Sequence, residues 1–176
     1  MKWIVTAICV VGVIARLVMA LDVMAVDEGT PRESIPSSVE EARARAILLH
    51  DTMETMLHEV HREYYREDEN LMLPAAAIKS VFRGLGKRHH VRFRWLAVEG
   101  QPMNIEHEAS TEFEKEAVRV LSGGEAAYER VGDGEYQRAG RITLTSECLK
   151  CHVPNRKSTE DRAAGLIISL PLEKGS

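Results

Sequence analysis

The chain of 176 residues carries 23 Lys and Arg against 27 Asp and Glu, for a formal net charge of −4, and is 44% hydrophobic, 28% charged and 5% aromatic. This length is enough for one domain with a hydrophobic core and too short for two of ordinary size. The composition excludes a disordered, collagen-like or multi-span membrane protein, and the acidic balance argues against a nucleic-acid partner, which selects a basic face.

The N-terminal segment has the pattern of a secretory signal peptide. A positive charge precedes an apolar run over residues 3–15, and small residues stand at two cleavage-like positions, of which the one after Ala25 is preferred to the one after Ala20. The alternative is an uncleaved membrane anchor, which would bury Arg16 and Asp22 at about 2.5–3.5 kcal/mol each on insertion scales. The predicted location is therefore the periplasm or another exported compartment, with membrane contact only if the segment stays uncleaved.

The sequence is predicted to divide into three parts. Residues 1–25 form the signal peptide, residues 26–37 are rich in proline, glycine and charge and form a flexible tether, and residues 38–176 form the domain.

Two helices are predicted at the start of the domain. Ser37 or Ser38, followed by acidic residues, predicts the start of a helix over residues 39–66. Its apolar stripe consists of Ala46, Leu49, Met53, Leu57, Val60 and Tyr64. Pro74 suits the first turn of a second helix, which is predicted to end near Leu85 between Gly84 and Gly86.

Strands dominate the rest of the prediction. Alternating apolar residues over 91–98 predict a strand, with a short partner near 101–104. A helix is predicted over 110–121, and further strands over 128–131, 136–144 and 165–170. Helices first, then several strands joined by short turns, predict an α+β domain with an antiparallel sheet.

The most informative stretch is Cys148-Leu149-Lys150-Cys151-His152, because C-x-x-C-H is the attachment signature of c-type haem. The two thiols add to the two vinyl groups of haem, and the spacing of the cysteines matches the distance between those groups. The adjacent His152 then supplies the proximal nitrogen ligand to the iron. Covalent attachment takes place after export, which agrees with the predicted signal peptide.

Three other interpretations compete with haem attachment. A zinc site would use Cys148, Cys151 and His152, but adjacent Cys and His side chains do not easily reach one tetrahedral metal, and a fourth ligand is needed. A redox C-x-x-C pair usually begins a helix of a βαβ unit, which is not predicted here. A structural disulfide would leave His152 unexplained.

The position of the motif narrows the class of cytochrome. Only 24 residues follow His152 and none is Met, which excludes the small soluble cytochromes c with an N-terminal motif and a downstream Met ligand. Four-helix-bundle cytochromes carry the motif on their last helix. They remain a weaker alternative, because a strand leads into the motif and Pro154 halts any helix.

The sequence resembles the bacterial exported single-haem c-type cytochromes with a PAS-like fold, over roughly residues 40–173. The resemblance is carried by the haem motif and by flanking segments: Trp95–Val98, Pro102–Asn104, Phe113–Glu114, Tyr136–Gly140 and Gly165–Pro171. It implies a PAS-like sheet flanked by N-terminal helices, one covalent haem c held by Cys148 and Cys151, and His152 as proximal ligand. Such domains occur alone and as extracytoplasmic sensor modules. Some members place a cysteine on the other side of the iron, and the predicted mature chain has no further cysteine.

The distal ligand is predicted to come from the first helix. His61 is preferred because it borders the apolar stripe beside Val60 and precedes Tyr64 and Tyr65, which would wall a pocket; His58 and Met53 are the alternatives. His50 lies three turns before His61 on the same edge.

Other polar residues are assigned more ordinary roles. His89 and His90 suit a helix C-terminus, and Met103 and His107 are predicted not to reach the haem. Four arginines on the predicted strands are candidates to bind the haem propionates: Arg92, Arg94, Arg138 and Arg141.

Two functional classes follow, electron transfer and redox or gas sensing. A redox partner or signalling partner is expected but not identified. Because no carboxylate pair, nucleophile triad or phosphate loop is predicted, an electron-transfer or sensor protein is favoured over an enzyme, and a haem peroxidase is the alternative that needs an open distal site.

Overall fold

The computed structural model describes residues 35–64, 72–100, 102, 104–146, 148–153 and 157–173, with the side chains of Lys150 and Cys151 outside this set. The predicted signal peptide and most of the tether lie outside the described residues, as do Tyr65 and Met103. The elements are helix α1 (Val39–Glu63), helix α2 (Pro74–His89), strand β1 (Arg92–Ala97), a 3₁₀ turn (Ile105–His107), helix α3 (Glu112–Ser122), strands β2 (Ala127–Gly132) and β3 (Glu135–Leu144), the short helix α4 (Leu149–His152) and strand β4 (Arg162–Pro171).

Helix α1 begins as predicted and ends slightly earlier. The Ser38 side chain accepts a hydrogen bond from the Glu41 backbone N–H, 3.1 Å away, and the Glu41 carboxylate accepts one from the Ser37 backbone N–H at 2.8 Å. These bonds satisfy donors that the first helical turn leaves open. The two acids of the first turn also suit the positive end of the helix dipole.

Helix α2 starts at Pro74 as predicted but does not end at its glycines. It continues through Gly84 and Gly86 to a basic last turn and ends at His89, with His90 as the capping residue at a φ of 52°. The chain then folds back, so that a Cβ built at Gly86 would lie 3.1 Å from the Val91 carbonyl oxygen. Glycine at this position therefore permits the close return of the chain rather than ending the helix.

The four strands form one antiparallel sheet with the order β1-β4-β3-β2. Leu144 at the end of β3 pairs with Arg162 at the start of β4, and Ala97 at the end of β1 pairs with Ala164. The end of β1, the end of β3 and the start of β4 therefore meet at one edge. The expected short partner strand is not formed by the described residues near 102–104, where the chain leads into the 3₁₀ turn instead.

The two faces of the sheet carry separate hydrophobic clusters. Helices α1 and α2 cover one face, where Phe82 of α2 stacks on Phe93 at 4.6 Å between ring centroids and packs on Trp95 at 5.0 Å. Helix α3 covers the other face through Phe113, Ala117 and Leu121. The alternation of side chains along each strand places successive residues in different clusters. The predicted α+β class with an antiparallel, PAS-like sheet and N-terminal helices is confirmed.

The buried stripe of α1 differs in detail from the predicted one. Its buried members are Ala42, Ala46, His50, Met53 and Leu57. His50 is part of the stripe rather than its edge, whereas Tyr64 is 74% exposed. Within the described part of the chain, no helix is long and apolar enough to cross a membrane.

Candidate functional site

The elements that carry the candidate ligands converge at the edge of the sheet where β1 and β3 end. Residues 145–153 follow β3 there, and the loop after β1 packs against them, since a Cβ built at Gly100 would lie 3.5 Å from Val153 Cγ2. Helix α2 reaches the same loop through Lys79, whose Nζ lies 3.5 Å from Glu106 Oε2. The loop after β1 therefore lies against the residue that follows the C-x-x-C-H turn, and α2 contacts the same loop.

Helix α1 brings its C-terminal half to this edge because it runs along β3 in the same direction. Near the start of the helix, Arg43 Nε donates to Glu129 Oε2 of the neighbouring β2 at 2.8 Å. Two turns later the His50 ring packs on Gly140, and one turn beyond that Glu54 Oε1 accepts from the Thr143 backbone N–H at 3.4 Å. His61 is two further turns along, about 10 Å at 1.5 Å per residue, and shares the face of Glu54. That advance carries it past the end of β3.

The His61 ring is oriented by a backbone hydrogen bond. Its Nδ1 lies 2.8 Å from the Leu57 carbonyl oxygen. Because a carbonyl oxygen only accepts, Nδ1 carries the proton, and the lone pair of the neutral ring is on Nε2. A histidine held through Nδ1–H with Nε2 as the basic nitrogen has the form in which imidazole binds a metal.

The haem motif lies on a turn of helix whose backbone is well satisfied. The Leu149 N–H donates to the Thr145 carbonyl and the His152 N–H to the Cys148 carbonyl, at 3.2 Å and 3.1 Å. Leu149 is fully buried and anchors the turn in the domain. Cys148 is a free thiol with its Sγ 3.5 Å from Thr145 Oγ1. The Cys151 side chain lies outside the described part of the chain.

His152 and His61 lie close enough for a charge on one ring to act on the other. Burial lowers the pKa of His152 below its ordinary value, and a proton on the nearby His61 would lower it further. His152 is therefore neutral at pH 7, as a metal-ligating imidazole must be. The two histidines are 91 positions apart in the sequence and come together only because α1 runs the length of β3.

The alternatives for the distal ligand lie in different surroundings. Met53 is 3% exposed and belongs to the hydrophobic cluster between α1 and the sheet. His58 is half-buried on α1 but outside the sheet-facing stripe.

The four arginines considered for the propionates are all bound to protein acceptors. Arg92 pairs with Glu135 and Arg138 with Glu129, while Arg141 donates to the Leu121 carbonyl at 2.6 Å. Arg94 pairs with Glu114 at 2.7 Å. Of these four, only Arg94 lies beside the site, where its charge acts on His107.

Three buried ring nitrogens have no hydrogen-bond partner among the described residues: His50 Nε2, Trp95 Nε1 and His107 Nε2. Trp95 lies on β1 near the site, and His107 lies in the 3₁₀ turn beside it. Buried donors without acceptors are costly, and the carboxylates of a haem are acceptors of the kind that such donors lack. The donor set thus fits a ligand with an imidazole-binding metal and peripheral anionic groups.

Among the described side chains, no group of three or more His, Cys, Asp and Glu residues is arranged to hold a metal ion by itself.

Sequence reasoning did not anticipate the structural role of His50. Its Nδ1 lies 3.3 Å from Asp51 Oδ1 and 3.9 Å from Glu54 Oε2, and its ring occupies the space left by Gly140. The signal available in the sequence was its place between Ala46 and Met53 on one face of the helix.

Comparison with known proteins agrees with this fold. Residues 36–168, well over half of the chain, match the family model described as Tll0287-like. A crystal structure of the cyanobacterial heme-protein Tll0287 superimposes with a TM-score of 0.58 at 13% identity, covering 76% of this chain and 96% of that one. No curated protein matches the sequence. The chain is a member of the Tll0287-like family.

Proposed function

We propose that this protein is an exported monohaem c-type cytochrome that works in electron transfer or redox sensing. Cys148 and Cys151 would hold the haem covalently, His152 would be the proximal ligand and His61 the distal ligand. The observation that carries the proposal is the C-x-x-C-H sequence at Cys148–His152 in a chain of the Tll0287-like family. The choice of His61 is supported by its electrostatic proximity to His152 and by the hydrogen bond that orients its ring.

The residues of the site suit a fixed, doubly ligated iron. When bound, haem supplies a one-electron couple between ferric and ferrous iron. The Leu57 carbonyl fixes the tautomer and the direction of the His61 ring. Burial keeps His152 neutral, and the packing of Leu149 holds the motif turn against the domain.

Two histidine ligands favour electron transfer or redox sensing over gas binding. An iron with two strong protein ligands has no open position for carbon monoxide, oxygen or peroxide, whereas a gas sensor or a peroxidase needs one. The membership in a family named for a heme-protein and the predicted signal peptide over 1–25 support a haem protein matured outside the cytoplasm.

The first experiment records absorption spectra of the full-length product, expressed with c-type haem maturation machinery, in the oxidised state, the reduced state, and the reduced state with carbon monoxide. We expect a covalent haem spectrum that carbon monoxide leaves unchanged. His61→Ala is expected to become high-spin in the ferrous state and to bind carbon monoxide, because the distal position opens.

His58→Ala is the matched control, since it removes a histidine one turn away on the same helix, and it is expected to keep the wild-type spectra. The absence of covalent haem would overturn the proposal and favour the zinc or disulfide alternatives. Wild-type protein that binds carbon monoxide would favour gas sensing instead.

A further inference from the structure

The 3₁₀ turn that carries His107 is held by hydrogen bonds from both sides. The two guanidinium nitrogens Nη1 and Nη2 of Arg94 donate to the carbonyls of Glu106 and Glu108, which flank His107, at 2.6 Å each. Asn104 closes the turn from the other side, since its Oδ1 accepts from the Glu106 N–H at 3.0 Å and its carbonyl accepts from the His107 N–H at 2.9 Å. These bonds fix the backbone on both sides of the imidazole.

The turn is also attached to two separate elements of the domain. Arg94 itself is anchored to α3 through its ion pair with Glu114, and Glu106 pairs with Lys79 of α2. The loop leading to the turn packs on the motif turn where Gly100 meets Val153. The backbone that carries His107 is therefore fixed next to the C-x-x-C-H segment.

The surroundings of His107 are those of an anion-binding group. Its Nε2 is buried and has no hydrogen-bond partner among the described residues. Burial lowers the pKa of His107, and the positive charges of Lys79 and Arg94, together with nearby His152, lower it further against the opposing charge of Glu106, so the ring is neutral at pH 7. An N–H donor beside two cations binds a carboxylate well.

We propose that His107 Nε2 donates a hydrogen bond to a carboxylate of the bound haem, with Lys79 and Arg94 supplying the favourable charge around it. This role rests on the proposed function and departs from the expectation that His107 would not reach the haem. The four strand arginines were the candidates drawn from the sequence; the structure gives each of them a protein acceptor, whereas Nε2 of His107 has none among the described residues.

The test compares His107→Leu, which removes the donor, with His107→Gln, which keeps an N–H, in the full-length haem-loaded protein. We expect His107→Leu to move the propionate-bending band of the resonance Raman spectrum to lower frequency. It should also lower the reduction potential, because a carboxylate without its donor carries more negative charge and stabilises ferric iron. His107→Gln is expected to keep both values near those of the wild type. His89→Leu, at the exposed far end of α2, is the matched control and should change neither.

Several results would overturn the inference. One is an unchanged Raman band and potential in His107→Leu; another is loss of its low-spin spectrum, which would make His107 an axial ligand. If His107→Leu does not accumulate, histidine-labelled wild-type protein in the diamagnetic ferrous state decides the matter. A slowly exchanging Nε2–H signal that disappears in His107→Gln supports the hydrogen bond, and the absence of that signal contradicts it. Wild-type protein without covalent haem would instead defeat the proposed function itself.

Discussion

At the scale of single residues, the contact between His50 and Gly140 joins α1 to the centre of the sheet. A Cβ built at Gly140 would lie 2.9 Å from His50 Cγ and closer still to two other ring atoms. We expect Gly140→Ala to lower the free energy of unfolding by about 1–3 kcal/mol, because the ring must leave its position. Urea denaturation of the variant and the wild type measures this difference.

Gly132→Ala is the matched control, since a Cβ there meets nothing within 4 Å. The double variant His50→Ala with Gly140→Ala should lose less stability than the sum of its single variants, because the smaller side chain removes the overlap. Equal stability of Gly140→Ala and the wild type would show that the ring can shift without cost.

Residue patterns predicted only part of the site. The haem motif is a local signal, and His61 was proposed as a ligand because helical spacing places it next to a buried stripe. The role proposed for His107 was not foreseen, because it depends on Arg94, Lys79 and Val153, which contact its turn or the loop before it only in the folded chain. Contacts of this kind leave no pattern in the sequence.

At the scale of elements, the start of α3 is a reciprocal cap centred on one buried carboxylate. Glu114 Oε2 accepts from the backbone N–H of Ser110 at 2.7 Å and of Thr111 at 3.1 Å, while Thr111 Oγ1 accepts from the Glu114 N–H. Burial alone would raise the pKa of Glu114, but these donors and Arg94 outweigh it and hold the pKa below the ordinary value of 4.5.

We therefore expect Glu114→Gln to reduce stability at pH 7 by about 1.5–3 kcal/mol, the value of hydrogen bonds to a charged group. Since the folded pKa is depressed, this contribution is complete above the unfolded pKa and is lost as the pH falls through the folded pKa. Thermal unfolding of the two proteins as a function of pH measures it. The difference between the stabilities of the two proteins should become smaller as the pH falls.

The control is Glu112→Gln on the same turn, where the exposed carboxylate pairs only with Lys115 among the described residues. Its effect should stay within about 0.5 kcal/mol. A Glu114→Gln protein whose deficit is the same at every pH would contradict the assignment of the cap to the charged carboxylate.

Most elements were predicted close to their observed positions, because amphipathic spacing and capping residues are local. The errors occurred where tertiary contacts prevail. Packing of Ile78 and Phe82 and the return of the chain at Val91 carry α2 through its glycines. Arg94 binds the carbonyls of the 3₁₀ turn that follows β1, where a partner strand was expected just before Ile105.

At the scale of the whole molecule, the haem would join segments that otherwise meet only at one edge of the sheet. Because a ligand bound to the folded state alone stabilises that state, we expect haem-loaded protein to show slower amide hydrogen exchange than a Cys148→Ser and Cys151→Ser apoprotein. The gain should be confined to the second half of α1, the loop after β1 and residues 148–153. Strand β2, at the opposite edge of the sheet from β1, serves as the internal control, and uniform protection throughout the chain would contradict a local site.

The attachment of α1 along β3 has a mechanical consequence. A slide of the helix by one turn, 5.4 Å, would break the Arg43–Glu129 pair, unseat the His50 ring and pull Glu54 away from Thr143 at the same time. These three contacts therefore prevent the helix from sliding along its axis. Any displacement of His61 must come from a sideways bend of the last two helical turns. The helix is therefore held firmly where it contacts the sheet and is free to bend at its C-terminal end, which carries His61.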